Sequence, residues 1–302
     1  MTVQCPMSDV RCPMSRSTRA PVFLVMLALL LLLLSSCGGS GTGDSDGSLS
    51  GSVGETRARY QILDLVSGQV SASGALADLT TNPDYRTTKL VFRLVENGNG
   101  TIGSGSSALG AALDPVASTV SASAFYLAVF ELTQAQWQLL GGGTPWAQLT
   151  SADGVNDVRI GDDYPAVGLS HDLVSSTVQT YRTSRSAHLV LPTDVQWELA
   201  CRAGGSGVWS WGSQADGAIV TATAVVWETA GTTRGARTVA GRSPNALGLY
   251  DVHGNVWELT GGDSLRGGSW NDPVATARAA HRAVIDPATR HLLVGARLVY
   301  IP

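Results

Sequence analysis

The chain is poor in charge, in cysteine and in long apolar runs, and each shortage excludes something. Asp, Glu, Lys and Arg make up only 15% of the 302 residues, and the formal net charge is −4. No basic patch is visible, so a nucleic-acid partner is not expected. A long coiled coil is excluded by the same composition. The cysteines are Cys5, Cys12, Cys37 and Cys201, and only Cys201 falls in the body of the chain. An intrachain disulfide framework is therefore ruled out there. The five histidines, His171, His188, His253, His281 and His291, include no His-x-x-x-His pair of the kind that binds metal on one helix face. The apolar run at residues 22–34 is shorter than the roughly 20 residues a membrane span needs.

What that run has is context. Arg16 and Arg19 precede it, and it ends in Leu34-Ser35-Ser36-Cys37. A positive start, a leucine-rich centre and small residues at the end describe a secretory signal peptide over residues 1–36. The cysteine after Leu-Ser-Ser resembles a bacterial lipobox, which makes Cys37 the lipidated first residue of the mature chain. Residues 37–54 are nearly all Gly, Ser and Asp and read as a flexible tether. Met14 would begin a more ordinary signal peptide than Met1. The expected location is the bacterial cell envelope, lipid-anchored on the periplasmic or extracellular face.

Beyond the tether, residues 55–89 read as a small lead-in and residues 90–302 as the main domain. Strands are expected over 57–66, 89–95 and 125–130, with a turn at Asn97-Gly-Asn-Gly100. Thr133 with Gln136, and Thr193 with Gln196, have the spacing of capping boxes and open two helices. Between them Ser170 caps a third, expected over 171–181. Past Gly204 regular periodicity fades into short extended pieces, among them 208–211, 225–227 and 237–239, before a closing strand at 292–300. All eight tryptophans lie from Trp137 to Trp270, so the core is pinned by aromatic side chains spread over long loops. Cys201, in the helical pattern Trp197-Glu-Leu-Ala-Cys201, reads as a buried inert thiol.

Five motifs in order carry a family resemblance: Phe130-Glu-Leu-Thr-Gln-Ala-Gln-Trp137, Leu191-Pro-Thr-Asp-Val-Gln-Trp-Glu-Leu-Ala200, Ser243-Pro-Asn-Ala-Leu-Gly-Leu-Tyr-Asp-Val-His-Gly-Asn-Val-Trp-Glu258, Leu265-Arg-Gly-Gly-Ser-Trp270 and Gly295-Ala-Arg297. Together they resemble the formylglycine-generating enzyme (sulfatase-modifying factor) domain. The resemblance implies an α+β fold related to the C-type lectin architecture, loop-rich and with few regular elements. Oxidising members hold copper on two cysteines shortly after the Gly-Gly-Ser motif, because copper(I) favours thiolate. Here residues 270–282 contain no cysteine, so copper and formylglycine generation are not expected.

The resemblance also implies a structural calcium in the loop. Asp251 and Glu258 would supply side chains, and Gly254 and Val256 backbone carbonyls, an all-oxygen set suited to that ion. The competing reading pairs Asp251 and Glu258 with arginines such as Arg266. At the family's other calcium position Val225 and Gly231 bring no side-chain oxygen, which argues for its loss. Trp270, Asn271, Arg278, His281 and Arg282 mark the candidate cleft, with no catalytic residue assigned. The arginines Arg278, Arg282, Arg290 and Arg297 read first as structural forks on carbonyls and carboxylates. The leading functional expectation is a non-catalytic envelope module that binds or scaffolds an exported protein or glycan. The alternative is a cofactor-dependent enzyme acting on an exported substrate.

Overall fold

A computed structural model of the chain describes residues 57–302 except 97, 105–113, 150–156 and 233. The expectations for the signal segment, Cys37 and the tether lie outside the described residues. Among the described residues no helix is long and apolar enough to cross a membrane.

The first sheet is built around its longest strand. Strand β3 (Lys89–Val95) buries five of its seven residues. That pattern suits a strand covered on both faces rather than an edge. It pairs antiparallel with β1 (Tyr60–Asp64) on one side and β6 (Phe125–Ala128) on the other. With β2 (Val70–Ser73), β7 (His188–Val190) and β12 (Val299–Ile301) it forms a six-stranded sheet in the order β2-β1-β3-β6-β12-β7. The described part of the lead-in packs on the main domain. It supplies two strands of the sheet and the short helix α1 (Asp84–Thr87), whose Tyr85 is buried with Val91, Val129 and Phe130.

A second sheet carries the loop motifs. Its order is β10-β9-β8-β11, from β8 (Trp257–Leu259), β9 (Ser264–Arg266), β10 (Ala283–Val284) and β11 (Val294–Ala296). A two-stranded ribbon pairs β4 (Gly98–Ile102) with β5 (Ser118–Ala122). The turn expected at residues 97–100 is thus largely strand, its partner lying some twenty residues downstream. The closing strand expected over 292–300 is two strands. β11 pairs parallel with β8, and β12 pairs antiparallel with β6 and β7. Arg297 and Leu298 form the crossing between the sheets, and both are fully buried.

The helices start where local chemistry places them. α2 (Gln134–Leu139) and α4 (Asp194–Arg202) open on complete capping boxes, Thr133 with Gln136 and Thr193 with Gln196. Each box satisfies two otherwise orphaned N–H groups. α3 (His171–Arg185) starts at Ser170 and runs four residues past the expected 181, because Arg182 and Arg185 sit well at the negative end. Leu139 is partly exposed while Trp137 and Leu140 are buried. α5 (Gly217–Thr223), capped by Asp216, stands in a stretch without a helical signature in our reading. Residues 208–211, expected to be extended, instead contain a tight turn closed by mutual backbone bonds between Trp209 and Gly212. With 20% helix and 24% strand among the described residues, the fold is mixed α+β and loop-rich.

Candidate functional site: a clamped acidic loop beside a surface tryptophan

The loop at residues 248–258 has an irregular backbone with a steric cause. Gly254 has φ +92, and a Cβ there would lie 2.0 Å from the Val225 carbonyl oxygen. Only glycine fits so close an approach. Asp251 and Asn255 also adopt left-handed φ, at 58 and 59, a region these two residue types tolerate better than most. Asn255 N–H donates to the Val225 carbonyl at 2.7 Å, its Oδ1 accepts from Arg237 N–H, and its amide donates to Glu131. Val225 thus meets the loop through its backbone. Gly231 sits in an exposed turn.

Arg297 clamps this loop. Its Nε and Nη2 donate to Glu258 at 2.7–3.1 Å, its Nη1 to the carbonyls of Ala128 and Val129, and Nη2 also to that of Tyr250. One guanidinium therefore ties the end of β6, the loop and β8. The Trp197 indole donates to Glu258 Oε2 at 2.6 Å, an oxygen that also accepts from Arg297 Nε. Arg297 and Glu258 are 0% and 1% exposed. Glu258 pairs with an arginine, but with Arg297 rather than Arg266.

Arg266 has its own work. It binds Asp194 at 2.6 Å and Glu198 at 3.2 Å, together with the carbonyls of Ala279, Ala280 and His281. Glu198 in turn holds Arg202 and accepts from Gly103 N–H. These arginines pin loops to α4, as forked donors can.

Two further carboxylates share the Arg297 neighbourhood. Glu131 is fully buried and accepts from Asn255 and from Val256 N–H. Burial first, then the charges of Asp251 and Glu258, push its carboxyl well above the usual range. Asp251 accepts from Ala240 N–H at 2.6 Å, while its Oδ1 is buried without a partner. Burial raises its pKa to about 6. Three carboxylates thus share one buried arginine, with half-buried Arg242 also acting on Asp251, and uncompensated charge in such a place is costly.

For a structural calcium the fit is divided. Asp251 offers an unpartnered buried oxygen, and Gly254 and Val256 lie next to it in the loop. Both Glu258 oxygens, however, already take N–H donors from Arg297 and Trp197. Among the described residues no group of three or more His, Cys, Asp or Glu side chains is arranged to hold a metal. The expected four-residue set reduces to Asp251 and loop carbonyls.

The candidate cleft residues divide as well. Trp270 and Arg278 are buried, at 2% and 3% exposure. Arg278 makes a bidentate pair with Asp114 at 2.6 and 2.9 Å and reaches the Ala275 carbonyl. His281 is half-buried, its Nδ1 3.3 Å from Asp114 and its ring tilted against Trp257. Burial, with Arg278 nearby, lowers its pKa. Asn271 and Arg282 are exposed. Asn271 and Arg282 therefore lie at the surface, His281 is half-buried, and Trp270 and Arg278 are committed to the interior.

Cys201 is buried, and burial raises its thiol pKa. It lies 3.8 Å from His253 Nε2. His253 Nδ1 donates to the Ala277 carbonyl at 2.7 Å, while Nε2 accepts from the Ser210 N–H and hydroxyl. Burial drops its pKa to about 4, so it is a neutral interior bracket.

Glu131, Asp114 and the surface position of Trp227 were not singled out from the sequence. For Glu131 a signal existed: it is a lone carboxylate between an apolar strand and a capping threonine. Asp114 and Trp227 had none. A shallow cavity of about 300 Å³ lined by Ile62, Asp64, Tyr85 and Lys89 shares no residue with these clusters.

The comparisons with known proteins agree with this architecture. The profile of the Sulfatase-modifying factor enzyme 1-like domain (FGE-sulfatase) matches residues 77–301. No curated protein matches the sequence. Among solved structures, the chain is similar to Treponema denticola variable protein 1, with TM-score 0.59 and 19% identity over 71% of this chain and 96% of that one. It is also similar to PvdO from Pseudomonas aeruginosa, with TM-score 0.61 and 18% identity over 70% and 94%. CarF matches with TM-score 0.52 and 21% identity over 69% and 97%. These identities speak to the fold alone. The matched profile covers most of the chain, and the chain belongs to the sulfatase-modifying factor enzyme 1-like domain family.

Proposed function

We propose that this protein is a non-catalytic binding module of the cell envelope, anchored through a lipid on Cys37, that holds an exported protein or glycan. The observation that carries this reading is how the polar groups around residues 251–282 are spent. Arg278 is taken by Asp114, Asp272 by Trp257 and Ser269, His253 by Ala277 and Ser210, and Glu258 by Arg297 and Trp197. With these buried groups satisfied inside the protein the region is built for rigidity, which favours presenting a surface over turning over a substrate. The family's oxidising chemistry depends on a cysteine pair that residues 270–282 lack. We further propose that the loop takes a structural calcium through Asp251 Oδ1 and the carbonyls of Gly254 and Val256, which would counter the excess carboxylate charge.

His281, oriented by Asp114, is the observation that favours the alternative of a cofactor-dependent enzyme. Elemental analysis of the full chain after exhaustive dialysis separates the readings. Up to one calcium per chain, lost in Asp251→Ala, with copper and iron far below one per chain, is expected. Stoichiometric copper or iron would overturn the non-catalytic reading.

A further inference from the structure

Trp227 is 60% exposed. Tryptophan rarely leaves so much surface in water, since its large apolar body gains from burial and its indole N–H seeks a partner. Here the indole N–H has no hydrogen-bond partner among the described residues. The backbone beneath it, in contrast, is firmly held. Trp227 N–H donates to the Asp272 carbonyl at 2.8 Å, and the Glu228 carboxylate accepts from Val274 N–H at 3.0 Å. Val225 and Val226, immediately before it, are buried. The ring is thus displayed from a fixed base and not carried on a slack loop. Asn271, next to Asp272, is exposed, and its side-chain amide likewise has no partner among the described residues. The Trp227 backbone is thus bonded to the residue that follows Asn271, and both side chains are exposed.

We propose that Trp227 and Asn271 form a binding site for a neutral saccharide, one sugar ring stacking on the indole and its hydroxyls bonding the amide and the indole N–H. The proposal rests on the binding-module reading and names the ligand class. A sugar ring presents C–H groups on one face and hydroxyls around its edge, which matches one aromatic plane ringed by polar groups. A protein partner would call for an apolar interface centre around the anchor, and the exposed residues next to Trp227 or to its backbone partner Asp272 in sequence are Glu228, Asn271 and Pro273. Glu228 and Asp272 are both acidic, which disfavours an anionic glycan.

The test screens the full chain against an array of neutral oligosaccharides and titrates the binding hexasaccharides by calorimetry. Trp227→Ala is expected to weaken binding about tenfold or more, as for an aromatic anchor. Trp227→Phe, which keeps a stacking face, should lose much less, and Asn271→Ala should fall between them. Both residues are exposed, so circular dichroism should show every variant folded. No binding to any member of the array, or binding that Trp227→Ala leaves unchanged, would overturn the saccharide site. A direct complex with a purified envelope protein, unaffected by added oligosaccharide, would also overturn it while leaving the binding-module reading standing.

Discussion

Arg297→Met is expected to cost about 3–5 kcal/mol of folding stability, read as a fall in the urea midpoint at neutral pH. Three terms act together. Glu258 loses both bidentate bonds and stays buried with only the Trp197 indole as donor. The carbonyls of Ala128, Val129 and Tyr250 lose their shared donor. Glu131 and Asp251 lose the nearby positive charge that favours their ionised forms. Methionine restores much of the volume, so the loss reports charge and hydrogen bonding more than a cavity. Against a typical total of about 5–15 kcal/mol, this places the variant near the edge of folding. Arg297→Lys keeps the charge without the fork and should fall between the two. A cost below about 1 kcal/mol for Arg297→Met would mean that the clamp is not what fixes the loop.

The second large effect is in pH. Asp251 has a folded pKa of about 6, raised chiefly by burial, against roughly 3.9 when unfolded. A raised carboxyl pKa means the folded state holds its proton more tightly. The associated stability is fully present below about pH 4 and is lost as pH rises through about 6. A shift of about two units corresponds to roughly 3 kcal/mol. Glu131 shifts in the same direction. Urea midpoints measured in EDTA should therefore fall for the wild type across this window. Asp251→Asn, which retains an acceptor for the Ala240 N–H and tolerates the left-handed backbone, should flatten the slope. Parallel curves for the two proteins would show that Asp251 is not the titrating group.

How much of this was legible in the sequence follows from how local each cause is. The capping boxes at Thr133 and Thr193 were readable because donor and acceptor lie three residues apart. The motifs flanking Trp257 and Ser269 marked the fold, and the family match bears that out over residues 77–301. The division of the last strand was not readable. Whether residue 294 or 299 pairs with β8 or with β6 depends on two sheets assembled from distant segments. Nor was the role of Glu131 readable, since its partners Asn255 and Val256 are more than 120 residues away. The choice of Arg297 over Arg266 for Glu258 turned on the same kind of distance. Arg266 is drawn to Asp194 and Glu198 on α4, and only the folded chain shows that α4 lies there.

These features meet in one claim: the loop at residues 248–258 is a structural lock in which buried carboxylates outnumber their arginine. Infrared difference spectroscopy of the calcium-free full chain at about pH 6 tests it most directly, because a protonated carboxyl has a carbonyl stretch that a carboxylate lacks. The account predicts a neutral-acid band in the wild type that is reduced in Glu131→Gln and in Asp251→Asn and lost when both are replaced. A folded, calcium-free wild type with no such band would contradict it.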